Sequence, residues 1–289
     1  MRAPTTDRRP WTFYVLAAVF TLFVLFLYGP MACIYILSFQ GPNGGLTFPL
    51  NGVSTDWFGA LFYQQRTGDI AGAFSRSIPL ALIVLTVTVV FSLAAGLGFR
   101  RRFVGAGLIF YAAIASLIVP GLVLSVGIGL GFQMLDIPPR WYSSALGAHL
   151  SWTLPFGLLI MFAVFSRLNR SYEEAARDLG ASTWQTLRYV VIPIVLPGII
   201  GVALFGFTLS YDEFPRSWLT VGPYNTLPLE IWAMTTNITS PALYALGTVT
   251  TAISFVVITA ALTSIAVIQS HRTRRRVARE QAMHVASHG

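Results

Sequence analysis

Lysine is missing. All 19 basic side chains in the 289 residues are arginines, and that gap removes one function at once. The phosphate-binding loop of a nucleotide hydrolase, Gly-x-x-x-x-Gly-Lys-Ser/Thr, uses its lysine to reach the phosphates. This chain carries no such ATP site. Charge of either sign is scarce: charged residues are 10% of the chain and only 11 of them are acidic, where a soluble domain has roughly a quarter. A single cysteine, Cys33, excludes an internal disulfide. It falls in the first apolar run and reads as a small apolar residue of a helix. The four histidines, 149, 271, 284 and 288, are scattered without metal-ligand spacing.

Apolar residues are abundant instead, at 55% of the chain. Several runs exceed the ~20 residues that cross a bilayer as a helix, and the short alternating segments of a transmembrane barrel are absent. The fold class is therefore an all-α polytopic membrane protein. Six transmembrane helices are expected, at about 12–38, 77–99, 104–134, 144–166, 193–212 and 244–269. The first apolar run is too long for the ~7–15-residue core of a signal peptide and is read as an anchor.

Orientation follows from the arginines. Fifteen lie in the N-terminus, the turn 100–102, a polar insert after the fourth span and the C-terminal tail; the alternate loops hold only Arg66, Arg76, Arg140 and Arg216. By the positive-inside bias both termini and the insert are cytoplasmic. The basic tail, 271–289, then reads as a lipid-headgroup contact rather than a nucleic-acid site. Between the first two spans, Trp57, Leu61 and Phe62 share a face at helical spacing, which predicts a helix at the outer interface.

The insert, "RSYEEAARDLGASTWQTLRYVVIP", is polar and organised. Ser171 with Glu174 reads as a capping box that opens a short helix through Leu179. Gly180 can take the left-handed conformation that closes it. Ser182 with Gln185 is a second capping box, opening a helix with Trp184, Leu187, Tyr189 and Val190 ahead of Pro193. Small Ala175 and Ala176 leave a compact knob open to a partner. Glu174-Ala175-Ala176, three residues, Gly180, nine residues and Val190-Val191-Ile192-Pro193 resemble the EAA loop of ABC importer permeases, Glu-Ala-Ala-x3-Gly-x9-Ile-x-Leu-Pro, with two apolar swaps. The resemblance implies the type I ABC importer permease fold. It also implies that Glu174, Ala175, Ala176, Gly180 and Pro193 belong to a loop that docks on a cytoplasmic ABC ATPase dimer. That ATPase would hold ATP and Mg, leaving this subunit with no cofactor and no catalytic residue. A second homologous permease subunit and an extracytoplasmic substrate-binding protein complete the implied set of partners, and nucleic acid is not among them. The implied location is the bacterial inner membrane. The chain divides accordingly into an anchor and outer segment (1–76), a permease core (77–270) with the coupling loop at 171–193, and the basic tail.

For the cargo, carboxylates near the membrane are few. Asp212 and Glu213 close the fifth span and Glu230 follows, among Tyr211, Trp218, Tyr224 and Trp232. Such a mouth would attract a cation; alternatively the acidic pair is solvated or neutralised by Arg216. His149 is either a pore residue or a packing histidine with its bonds satisfied. "FTLSYDEF", "VGPYNTLPLEIWAM" and "SPALYALGTVTTAIS" resemble the spermidine/putrescine branch of these permeases. Tyr211, Asp212, Glu213, Trp218 and Glu230 are accordingly the candidate substrate pathway. Permeases for iron, sulfate, phosphonate or other organic cations share much of the pattern. An ion-coupled secondary transporter is the rival of another class, and span centres nearly free of acids count against it.

Overall fold

Residues 10–63, 68–100, 103–237 and 240–288 are described in a computed structural model, the stretch beyond 270 by its backbone course alone. The helices run in the order α1 (Trp11–Leu37), α2 (Asp56–Tyr63), α3 (Ile70–Phe99), α4 (Ala106–Ala115), α5 (Gly121–Met134), α6 (Leu146–Ser166), α7 (Ser171–Asp178), α8 (Thr183–Thr186), α9 (Ile192–Tyr211), α10 (Leu227–Asn237) and α11 (Ala242–His288). Among the described residues there is no β-strand, only an isolated bridge between Gln40 and Val53. Five stretches of the described residues are long and apolar enough to cross a membrane: Trp11–Leu37, Ile70–Phe99, Trp141–Ser166, Thr183–Tyr211 and Ala242–Ser264.

These five match five of the six expected spans. The third, 104–134, is instead two shorter helices, α4 and α5, of 10 and 14 residues. Pro120 causes the break. It has no N–H to donate and disfavours helical backbone at the residue before it, and it adopts an extended ψ of 133°. The chain ahead of it tightens into short-range bonds, Leu117 N–H to Ile114 and Ile118 N–H to Ala115. The Ser116 hydroxyl anchors the break to the Ser151 carbonyl of α6 at 2.9 Å.

The chain forms two compact units, residues 1–68 with 234–252, and 69–233 with 253–289. The second is built on α3, α6 and α9, each packed on the other two. Buried positions on α3 include Leu80, Val84, Thr88, Ser92 and Gly96, a ladder four residues apart that keeps one face of the helix on its neighbours. From Thr88 to Gly96 this face is lined with small residues, because apolar packing alone does not distinguish a neighbouring helix from lipid; close approach and polar pairing do. Thr88 and Thr153 hydroxyls pair across α3 and α6 at 2.9 Å. A Cβ on Gly206 of α9 would come within 3.2 Å of the Leu85 Cα. Toward one end the core is Met161, Phe165, Leu168, Val191, Val195 and Val202; toward the other it is Leu80, Val84, Ala145, Val221 and Leu229.

In the first unit the loop after α1 is organised by the buried side chain of Gln40. Its amide donates to the carbonyls of Gly45 and Thr47 and accepts from the Asn51 N–H. The expected helix after α1 is present as α2. Its Trp57 indole donates to the Gln40 carbonyl at 2.9 Å and its Leu61 is buried, so this face of α2 packs on protein. The Phe62 side chain and Arg66 lie outside the described residues, as do Arg101, Arg102, the first nine residues and the side chains of the tail.

Candidate functional site

The polar insert folds into the two short helices expected of it, with one difference at its start. Ser171 is not the cap. The Asn169 carboxamide oxygen accepts both the N–H of Ser171, at 3.0 Å, and its hydroxyl, at 2.9 Å, so Asn169 opens α7. A carboxamide two residues upstream satisfies the same orphan donor that a capping box would. At the other end Gly180 has φ +82°. The Ala181 N–H reaches the Ala176 carbonyl at 3.0 Å and the Gly180 N–H reaches that of Arg177 at 2.8 Å. This paired closure needs a residue in the left-handed region, where glycine has no Cβ to clash. The second box is formed as expected: the Gln185 side chain accepts from the Ser182 N–H at 2.8 Å, and the Ser182 hydroxyl from the Gln185 N–H at 3.3 Å.

Pro193 does not end the helix that follows. A π-helical turn, Leu187–Val191, joins α8 to α9, and the helix continues through Pro193. A proline lacks the N–H of the regular ladder and its ring crowds the carbonyl four residues back. The wider turn just before it absorbs that mismatch. The loop is therefore a knob on the end of a rod: the second helix of the insert is the first two turns of a 29-residue span, Thr183–Tyr211.

Ala175 is exposed and Ala176 half-exposed on α7, and Glu174 is exposed beside them. Around them large apolar side chains stand in the open: Tyr172, Trp184, Tyr189 and Leu179, the last 89% exposed. A surface of this kind marks a contact site. Tyr172 and Leu179 were not singled out from sequence, although their seven-residue separation puts them on one helical face with the alanines. Behind the knob lies a cavity of about 650 Å³, lined among others by Leu97, Arg100, Arg170, Glu173, Thr183 and Leu187.

The acidic residues after α9 part company in the structure. Glu213 is buried and its carboxylate accepts from the backbone N–H of Arg216 at 3.0 Å and from its guanidinium at 3.4 Å. Arg216 is itself buried, with its guanidinium 4.5 Å above the Trp152 ring. Asp212 is exposed. Glu230 is also engaged within the fold, one oxygen accepting from the Asp69 N–H at 2.8 Å and the other from the Asn225 amide at 2.9 Å. Tyr211 is buried, its ring stacked on Phe207 at 5.6 Å. Trp218 is exposed in a ring cluster with Phe214 and Trp232, at centroid separations of 5.1 to 6.2 Å.

His149 holds this region together. Its ring nitrogens bond the Ser210 hydroxyl at 2.8 Å and the Ser217 hydroxyl at 2.9 Å, fully buried. Because the Ser217 hydroxyl donates to the Glu213 carbonyl, it must accept from His149, which places the imidazole hydrogen on Nε2. Ser125 of α5 accepts the Leu219 N–H at 3.0 Å. The turn 213–221 is thereby tied to α5, α6 and α9.

Among the described residues, apolar helices of membrane-spanning length, one broken span and an exposed two-helix knob are the features of a membrane transport protein. The chain belongs to the family described as binding-protein-dependent transport system inner membrane component, which matches residues 74–275. It is 28% identical over 242 residues to the spermidine/putrescine transport system permease protein PotC of Escherichia coli (strain K12), covering 83% of this chain and 89% of that one. It is 28% identical over 249 residues to the putrescine transport system permease protein PotI of the same organism, covering 83% and 85%. In fold it is similar to a chain in the crystal structure of a bacterial ABC transporter involved in the import of the acidic polysaccharide alginate. That similarity has a TM-score of 0.62 at 14% identity and covers 95% of this chain and 99% of the other. The inward-facing MetNI methionine ABC transporter matches with a TM-score of 0.52 at 16% identity, over 70% and 98%. The type I importer permease fold is thus the architecture of this chain.

Proposed function

We propose that this permease imports polyamines, spermidine or putrescine, using ATP hydrolysed by a separate cytoplasmic ATPase dimer that holds the nucleotide and Mg. The knob of α7, Gly180 and α8 carries the proposal: it is exposed, rigidly capped at its turn, and continuous with a membrane-spanning rod. Closure of the ATPase on nucleotide pushes the knob, and the rod converts that movement into rocking of the spans between inward- and outward-facing states. Ala175 and Ala176 allow close approach, Gly180 sets the angle between the two short helices, and Pro193 with its π turn sets the course of the rod. The arginine distribution supports a cytoplasmic knob and cytoplasmic termini. A second, related permease and an extracytoplasmic binding protein complete the system.

The polyamine reading rests on the similar permeases and on the exposed Asp212, two residues before Phe214 of the Trp218 ring cluster, since a carboxylate and aromatic faces suit a flexible organic cation. The test is uptake of radiolabelled putrescine and spermidine into proteoliposomes holding the assembled complex. Gly180→Val places a β-branched residue at φ +82°, at a cost of about 1–2 kcal/mol. It is expected to leave insertion and ATP hydrolysis intact while uptake falls by roughly tenfold or more. Undiminished uptake by that variant, or wild-type complex that ignores both polyamines, contradicts the proposal.

A further inference from the structure

The knob is fastened to more than its own rod. Arg100, the residue that ends α3, pairs with Glu173 in the first turn of α7, and both side chains are largely buried, at 14% and 19% exposure. The Arg100 guanidinium also lies 5.6 Å above the ring of Phe165, near the end of α6. Arg170, directly before α7, donates to the Arg100 carbonyl at 2.7 Å. Three elements thus converge on one residue: α7 through its charge, α6 through a ring face and the segment entering α7 through its backbone. None of these contacts involves Glu174, Ala175 or Ala176.

Building on the coupling role argued above, we propose that Arg100, Glu173 and Arg170 form a lock that joins the knob to the inner end of α3, so that the knob drives two spans and not one. The physics favours such a link. The knob meets α9 at a single joint, the π turn Leu187–Val191, and a second attachment on α7 fixes its angle to the spans. A half-exposed pair would be screened and weak. This one is largely withdrawn from water, carries a second contact on an aromatic face, and leaves an uncompensated charge if one member is removed. Force applied to α7 therefore reaches α3 directly, and α3 packs along its length on both α6 and α9. Arg100, Glu173 and Arg170 are positioning residues, acting through the contacts that hold α7 on α3 and α6.

The test is a charge-swap cycle in the reconstituted complex, comparing Arg100→Glu, Glu173→Arg and the double swap. The lock predicts that each single swap still assembles and hydrolyses ATP, but spends at least about tenfold more ATP per cargo molecule imported, and that the double swap, which restores the charge pair without the Phe165 ring contact, recovers part of the loss. Single swaps with the wild-type ratio, or a double swap no better than either single, overturn it. A wild-type complex that neither hydrolyses ATP nor imports overturns the coupling role beneath it and the lock together. If single swaps fail to assemble, spin labels at Ser171→Cys and Phe91→Cys in a Cys33→Ala background decide the matter with the lock intact. Trapping the nucleotide-bound state is then expected to leave the α7–α3 distance unchanged, and a shift of several ångströms overturns the lock.

Discussion

At the scale of single residues, two neighbouring carboxylates sit in opposite environments. Glu213 is buried against Arg216, so its charge is already spent inside the protein. Replacing it leaves a buried guanidinium without its counter-charge, a loss of about 3–5 kcal/mol by the general behaviour of buried pairs. Glu213→Gln is therefore expected to lower the melting temperature of the detergent-purified protein markedly. Asp212→Asn, at an exposed carboxylate, is expected to melt like wild type and to slow cation uptake. Equal stability of the two variants would show that the Glu213–Arg216 pair contributes nothing, and unchanged uptake by Asp212→Asn would remove that residue from the pathway. His149 makes the same point from the other side. It was open as a pore residue or a packing one, and the structure closes both of its nitrogens with serine hydroxyls.

At the scale of elements, helices were far more legible than the joints between them. Runs of twenty or more apolar residues leave little choice in a bilayer, where every backbone polar group must be satisfied within the helix; five spans follow from that constraint alone. Gly180 and the Ser182–Gln185 cap were legible too, because turn chemistry is local. The break at Pro120 was not, since Pro155 and Pro197 lie inside α6 and α9 without ending them. Whether a proline interrupts a span depends on which neighbours take up the freed carbonyls, as the Ser116–Ser151 contact shows. The continuation through Pro193 depended likewise on a π turn with no sequence signature. The cap at Asn169 was hidden by a better-looking match two residues on. Packing of α3 on α9 depends on Gly206, where an added Cβ would press on the Leu85 backbone at 3.2 Å. A backbone atom cannot swing aside as a side chain can. Gly206→Leu is expected to cost about 1–3 kcal/mol of stability, read as reduced yield of monodisperse protein on size exclusion, whereas a variant with wild-type yield would show that the two helices tolerate a wider separation.

At the scale of the whole molecule, the proposed role is that of a transmission part. It has no lysine for a phosphate-binding loop, yet it carries an exposed apolar knob whose turn is fixed by two carbonyl bonds and a left-handed glycine. These features make sense together if force arrives from another protein. The most direct measurement is a photo-crosslink from the exposed tip of that knob. With Leu179 replaced by benzoylphenylalanine in membranes containing the co-expressed ATPase, irradiation is expected to join this chain to the ATPase subunit. Crosslink yield should change when nucleotide closes the dimer. Crosslinks to outer proteins alone, or labelling of a Leu179→Cys variant by an impermeant maleimide added from outside intact cells, would contradict the account.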